Sequence, residues 1–239
     1  MRAILTFHSI GDIIFTEPIY RHFWMTDGIK PIVIIRDHLM WIQEYIRSAT
    51  FQKASVWDGD IDSMSHDPTS LINLRFANQI YRGLDKWDNS DIENCMLDKY
   101  RLASIDIERW KDIHLLFNEQ KAMELYDLEV RRFCGGEYVC VNEYSGVGNI
   151  EIKPKTNLHI VKMHSVAGYS VIDWYLVMAM AKENHHVSTS TFYLFQALVR
   201  KYGGKLDTKV FIYPRPNHDV DGLKGISNLN ASFEHTLVL

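Results

Sequence analysis

The 239-residue chain has no apolar run approaching the roughly 20 residues that a helix needs to cross a bilayer. One of the longest, Trp174 to Ala181, is eight residues long. Between Met1-Arg2 and the polar His8-Ser9 lie only the five residues Ala3 to Phe7. A secretory apolar region runs to about 7 to 15 residues, so no signal peptide is expected. Excess positive charge is missing as well. Thirty acidic residues against 26 basic ones give a formal charge of -4, which provides no global attraction to nucleic acid or an anionic membrane. The three cysteines, Cys95, Cys134 and Cys140, are odd in number and show no CxxC spacing, which fits a reducing compartment and core packing. Together these absences predict an intracellular, cytoplasmic protein.

Several catalytic signatures are absent too. There is no GxGxxG after the first strand and no GxxxxGK[ST] anywhere, which argues against Rossmann dehydrogenases and P-loop kinases. The eleven histidines form no HExxH and no helical His/carboxylate spacing, which argues against a dedicated zinc site. No GxSxG elbow marks a serine hydrolase.

What is present is a globular composition, 46% hydrophobic and 12% aromatic, enough for one large domain or two small ones. Ala3 to Phe7 has the length and apolar density of a buried strand and ends in the polar turn His8-Ser-Ile-Gly-Asp12. Pro18 is tolerable only near a helix start, so a helix is expected from about Thr16 to Met25. Further strands are expected at Pro31 to Ile35 and, more weakly, at Lys53 to Trp57 and Ser70 to Leu74, with a helix at Leu39 to Ile46. Residues 76 to 134 read as mostly helical, with a capping box at Ser90-Asp-Ile-Glu93 and Gly135-Gly136 closing a helix that begins at Asn118. The alternation then restarts. Strands are expected at Glu137 to Asn142, Asn157 to Met163, His185 to Val187 and Lys209 to Tyr213, and helices at Val171 to Lys182 and Thr191 to Tyr202. This rhythm predicts an α/β protein of two halves flanking a helical middle, divided near Gly135-Gly136, with a weakly structured tail after Pro214.

Three segments carry candidate chemistry. Asp12 lies beyond the carboxyl end of the first strand, where open α/β sheets bind ligands and where a general base would stand, though an aspartate there also suits a plain helix N-cap. In His185-His-Val-Ser-Thr-Ser190 a short strand ends in three hydroxyl residues at a helix start, an arrangement suited either to a phosphate or to capping by one serine. The loop Val56-Trp-Asp58-Gly-Asp60-Ile-Asp62 has carboxylates spaced to hold Mn²⁺ or Mg²⁺ against a nucleotide diphosphate, although a solvated acidic turn is the simpler reading.

These residues resemble the heptosyltransferase-like glycosyltransferases of GT-B fold, as a short member of bacterial or viral type. The resemblance rests on Gly11-Asp12-Ile-Ile-Phe-Thr16-Glu-Pro18, on Gly168-Tyr-Ser-Val-Ile-Asp-Trp174, and on His186-Val-Ser-Thr-Ser190 before a Tyr-Leu-containing helix. Lys99-Tyr100 and Trp110 look like a weaker shared element. The resemblance implies two facing Rossmann-like halves, roughly residues 1–134 and 135–239, with the active site in the cleft between them. The N-terminal half would hold the acceptor near His8, Ser9 and Gly11, with Asp12 taking the hydroxyl proton. The C-terminal half would hold a nucleotide-diphosphate sugar at His164, Gly168, Tyr169, Ser170, Ser188, Thr189 and Ser190. No cofactor or metal beyond that co-substrate is implied, and transfer would be inverting. The family's basic residue just after the first C-terminal strand has only Lys153 or Lys155 as candidates here. Three other readings stay open: a metal-dependent GT-A type transferase using Asp58 and Asp60, a non-catalytic nucleotide-sugar-binding module, and a transferase whose acceptor is a modified DNA base instead of a glycan.

Overall fold

The computed structural model describes residues 2–6, 9–56, 66, 70–74, 77, 89–216, 223 and 229–238, with residues 89–94 described by their backbone alone. The chain divides into two compact units, Met1–Leu116 and Phe117–Leu239.

The first unit is built on four parallel strands, β1 Ala3–Leu5, β2 Ile32–Ile35, β3 Thr50–Lys53 and β4 Leu71–Asn73, in the order β3-β2-β1-β4. Ile4, Val33 and Ile34 are fully buried. A parallel strand covered on both faces needs such a β-branched run instead of an alternating one. Helix α1 (Ile10–Phe15) begins six residues before the expected start at Thr16, and α2 (Glu17–Asp27) continues after a break at Thr16. The Thr16 hydroxyl donates back to the Asp12 carbonyl at 2.7 Å, and Pro18 lies in the first turn of α2, where its missing N–H costs nothing. Gly28 ends α2 in the left-handed region, φ 69°. A 3₁₀ helix at Asp37–Glu44 stands where an α-helix was expected, and β3 precedes the expected Lys53 to Trp57 strand, where Ala54–Val56 instead forms a 3₁₀ turn. Helix α3 spans Asn89–Leu102, and a 3₁₀ helix at Ile107–Asp112 completes the unit. Its core is aromatic: Phe15 meets Tyr100 edge to face at 5.3 Å and stacks on Trp110 at 5.6 Å.

The second unit opens with α4 (Glu119–Tyr126), capped by the Asn118 side chain and prolonged by a π-helical turn at Asp127–Arg131. Its sheet contains β5 Tyr138–Asn142, β8 His159–Lys162, β9 Glu183–Val187, β10 Lys209–Tyr213 and β11 His235–Leu237, all parallel, in the order β11-β10-β9-β5-β8. A small antiparallel hairpin, β6 Tyr144–Ser145 with β7 Gly148–Asn149, follows β5. A 3₁₀ helix at Val171–Trp174 leads into α5 (Tyr175–Met180), and α6 spans Ser190–Lys201. The tail after Pro214 thus supplies an edge strand, β11. At three residues, none of them fully buried, β11 has no alternation to announce it.

The division at Leu116/Phe117 corrects the expected one at residue 134. Helix α4 packs with the second unit: Phe117 lies 4.6 Å from the Tyr175 ring, and Glu119 accepts from the Tyr175 hydroxyl and the Lys201 ammonium. The helical stretch stops at Arg131, before Gly135-Gly136, and the end of a helix is a local event that need not be the edge of a domain. Among the described residues, no helix is long and apolar enough to cross a membrane. The three cysteines are free; Cys95 and Cys140 are buried and Cys134 partly so.

Glu17 shows how tightly the first unit is tied together. It is 1% exposed and accepts from the Ser48 hydroxyl at 2.9 Å, the His114 backbone N–H at 2.8 Å and Arg21 at 3.4 Å. Burial raises its pKa above the usual carboxylate value, against the pull of Arg21 and the three donors. The folded chain therefore holds this proton to higher pH than the unfolded chain, and the contribution of Glu17 to stability declines as pH rises above about 4.5 through the raised value. Glu17→Gln should flatten that slope in urea denaturation followed between about pH 4 and pH 7, whereas Glu17→Ala, which strands the donors, should cost about 3 kcal/mol. A pH dependence identical in the Gln variant and the parent would contradict the assignment.

Candidate functional site

In open parallel sheets, ligands settle beyond the carboxyl ends of the strands, where successive connections leave to opposite sides of a starting strand. In the first unit that point lies between β1 and β4. The residues following β1 put Ser9 at the N-cap of α1, where its Oγ accepts from the Asp12 N–H at 3.2 Å. Ser9 is thus the cap, and the capping reading of Asp12 is corrected: Asp12 is the third residue of the helix, with its carboxylate committed elsewhere. The Ser9 hydroxyl donates to Asp12 Oδ2 at 2.5 Å, and Lys99 Nζ donates to Oδ1.

Lys99 comes from α3, with its side chain fully buried while that of Asp12 keeps 16% exposure. Its ammonium also touches Met96 Sδ at 3.2 Å and lies 6.0 Å from the Phe15 ring centre. Tyr100, the next residue, donates its hydroxyl to the Phe15 carbonyl at 2.6 Å and so fixes α3 against α1. The site therefore presents a carboxylate reachable from solvent, with a cation on one oxygen and a hydroxyl on the other. Beside it, burial pushes the Cys95 thiol up to about 11, which keeps it protonated and unreactive. Gly11 is buried in the first turn of α1, and His8 lies outside the described residues.

In the second unit the reversal falls between β5 and β9. Asn142 ends β5, and its Nδ2 reaches Thr189 Oγ1 at 3.5 Å, at the exit of β9. Thr189 is the N-cap of α6, yet its side chain makes no capping bond; Oγ1 lies 3.2 Å from Thr191 Oγ1 instead. The cap is therefore left unfilled. Ser188 is 2% exposed, its N–H donates to the Tyr213 carbonyl at 2.9 Å, and its Oγ has no hydrogen-bond partner. Ser190 begins the helix, half-buried.

A cavity of about 290 Å³ opens beside this edge, lined among others by Asn142, Tyr144, His164, Tyr169, Ser170 and Trp174. That is about the smallest volume usual for a small-molecule site. The His164 ring lies 5.7 Å from Trp174, with Nε2 3.6 Å from Glu129, and the Tyr169 hydroxyl donates to Glu124 at 3.3 Å. The Ser170 hydroxyl is engaged in a capping box with Asp173 and shapes the wall. Gly168 does not line the cavity. It sits at φ 88° in the turn that delivers Tyr169, a conformation side chains rarely adopt.

The structure thus gathers His164, Tyr169 and Ser170 in one cavity, and Asn142, which no sequence motif singles out, connects that cavity to Thr189. Lys153 is exposed and pairs with Glu151 at 2.9 Å, and Lys155 is exposed. His186 is a core histidine: fully buried, in contact with Phe195, its pKa pushed down to about 3 by burial. Asp58, Asp60 and Asp62 lie outside the described residues, and among the described ones no three His, Cys, Asp or Glu side chains gather to hold a metal ion.

An asparagine at position 12 would leave the Lys99 ammonium buried without a charge, so the pair should resist being broken from either side. Asp12→Asn and Lys99→Met are each expected to lower stability by about 2 kcal/mol, and the double variant to cost at least about 1 kcal/mol less than their sum. Chemical denaturation of the four proteins measures this; strict additivity would mean that the pair contributes no coupling.

No family model and no curated protein matches the sequence. Among solved structures, the chain is similar to a glycosyl transferase family 9 protein from Veillonella parvula DSM 2008, with a TM-score of 0.54 and 10% identity over 99% of this chain and 86% of that one. Lower scores of 0.48 relate it to the E. coli heptosyltransferase WaaC (12% identity, 100% of this chain and 93% of that one) and to the iron-containing dodecameric glycosyltransferase TibC from enterotoxigenic E. coli H10407 (9% identity, 93% and 64%). At such identities the likeness is one of fold: a mixed α/β chain of two parallel-sheet units, GT-B-like, shared with the Veillonella protein.

Proposed function

We propose that the protein is a glycosyltransferase that moves a sugar from a nucleotide-diphosphate sugar to an acceptor hydroxyl, without a metal ion and with inversion at the anomeric carbon. The observation that carries this reading is Asp12, held at the carboxyl end of β1 by Ser9 and Lys99 with part of its carboxylate open to solvent. The fold shared with a family 9 glycosyl transferase supports it.

In this reading the acceptor hydroxyl donates to the Asp12 carboxylate. As the acceptor oxygen bonds to the anomeric carbon, its proton passes to Asp12, and the bond from that carbon to the diphosphate breaks with its electron pair leaving on the phosphate oxygen. Attack from the face opposite the leaving group inverts the centre. Lys99 is a positioning residue, which together with Ser9 fixes the plane of the carboxylate. The diphosphate is received by the unfilled helix start at Ser188, Thr189 and Ser190, where the first-turn N–H groups of α6 and its partial positive charge suit an anion. The cavity of His164, Tyr169 and Trp174 offers flat rings to a nucleobase.

A panel of nucleotide sugars in thermal melts finds the donor, since a ligand at 100 times its dissociation constant adds about 2.7 kcal/mol. With that donor, Asp12→Asn should lower turnover at least about 100-fold while donor affinity stays nearly unchanged. Near-normal turnover in this variant would remove Asp12 as the base. Activity is also expected to survive EDTA. Loss on chelation, restored by Mn²⁺ and abolished by Asp60→Ala, would transfer the chemistry to the acidic loop. Donor binding with neither transfer nor donor hydrolysis would mark a binding module.

A further inference from the structure

We infer that Arg215 is the cation of an anion-binding site at the start of α6, and that it holds the phosphates of the donor; the identity of the anion as a donor diphosphate rests on the reading above. Arg215 follows Pro214 at the exit of β10, the strand beside β9. Its Nε donates to the Ser188 carbonyl. That single bond fixes the guanidinium plane and leaves the two terminal amines, the fork that grips phosphate oxygens, outside the anchor. The residue is half-buried, and among the described residues no carboxylate is paired with it. Other withdrawn cations of the chain behave differently: Lys99 ends on Asp12, Arg21 on Glu17 and Lys201 on Glu119.

Two independent features point to the same place. Ser188 is 2% exposed and its Oγ has no partner. Alternation along the strand puts it on the same side as His186, whose ring packs against Phe195 of α6, so the hydroxyl is turned toward the face that α6 covers. The cap of α6 is unfilled at Thr189. A guanidinium that meets a carbonyl but no carboxylate among the described residues, a buried hydroxyl without a partner and a helix start without a side-chain acceptor all lie within residues 188–190 and their neighbour 215. Each lacks the same thing, an anionic oxygen. A phosphate or diphosphate supplies several such oxygens at once, and charge-assisted bonds to it are the strong ones. The basic residue of this site therefore comes after β10, and not from Lys153, which is exposed and pairs with Glu151.

Inorganic pyrophosphate is the probe, because it tests the anion site without presupposing a nucleotide. Calorimetry at fixed ionic strength compares the full chain with Arg215→Gln and Arg215→Lys, alongside the thermal midpoints of the free proteins. Arg215→Gln should weaken pyrophosphate binding about ten- to hundredfold, Arg215→Lys should recover part of it, and the midpoints should stay close together. Unchanged affinity in the Gln variant overturns the inference. So does absence of pyrophosphate binding by the unaltered protein at millimolar concentration, and so does a loss in Arg215→Gln that Arg215→Lys does not relieve and that comes with a lowered midpoint, since Arg215 would then only peg the end of β10 to Ser188. If pyrophosphate binds through Arg215 but no nucleotide sugar of the panel shifts the melt, the anion site stands and the donor reading falls.

Discussion

An ammonium group withdrawn from water has to meet a negative charge, and in this chain the buried Lys99 meets Asp12. Much of the first unit is arranged around that requirement. Helix α3 approaches α1 closely enough for the lysine to reach, the Tyr100 hydroxyl closes the backbone of Phe15, and Phe15, Tyr100 and Trp110 fill the space that would otherwise admit water. Removing water strengthens the pair and also makes its failure costly, because either partner alone is a buried or half-buried charge without compensation. The candidate base is thereby given one orientation, while its carboxylate keeps part of its surface in contact with solvent.

Both units apply the same geometrical rule. A parallel sheet sends every strand's carboxyl end to one edge, and two connections leaving a strand in opposite directions cannot fill the gap between them. The first unit places Asp12 beside such a gap, and the second places Asn142 and the Ser188–Ser190 turn there. Function in such folds is a property of what the chain does in the few residues after a strand, and the strands themselves serve to aim those residues.

This division explains how much could be read from the sequence. β2 and β5 are legible because strands buried on both faces are unbroken apolar runs, and the start of α4 is legible because Asn118, an asparagine that accepts from the N–H three residues on, is a local signal. Asp12 and the 188–190 turn are legible as strand-to-helix junctions. Lys99 is legible only through the resemblance, as part of a weaker element with Tyr100 and Trp110; its pairing with Asp12 is not, because only the approach of α1 makes it a core residue. The same holds for Asn142, Arg215 and the assignment of α4 to the second unit, each decided by contacts with residues 27 or more positions away. The alternatives of capping, left open at Asp12 and for a serine of the 188–190 turn, needed the side-chain positions, since a capping residue and an uncommitted one have the same spelling.

The unfilled start of α6 has a dynamic consequence. A capped helix is held shut at its first turn by about 1 kcal/mol that this one does without. The amides of Ser190 and Thr191 are therefore the part of α6 that opens most readily, although the body of the helix from Phe192 to Val199 is buried. Hydrogen exchange would show a helix that frays at its buried-strand end while its middle is protected, so that whatever anion settles there also decides how the helix begins.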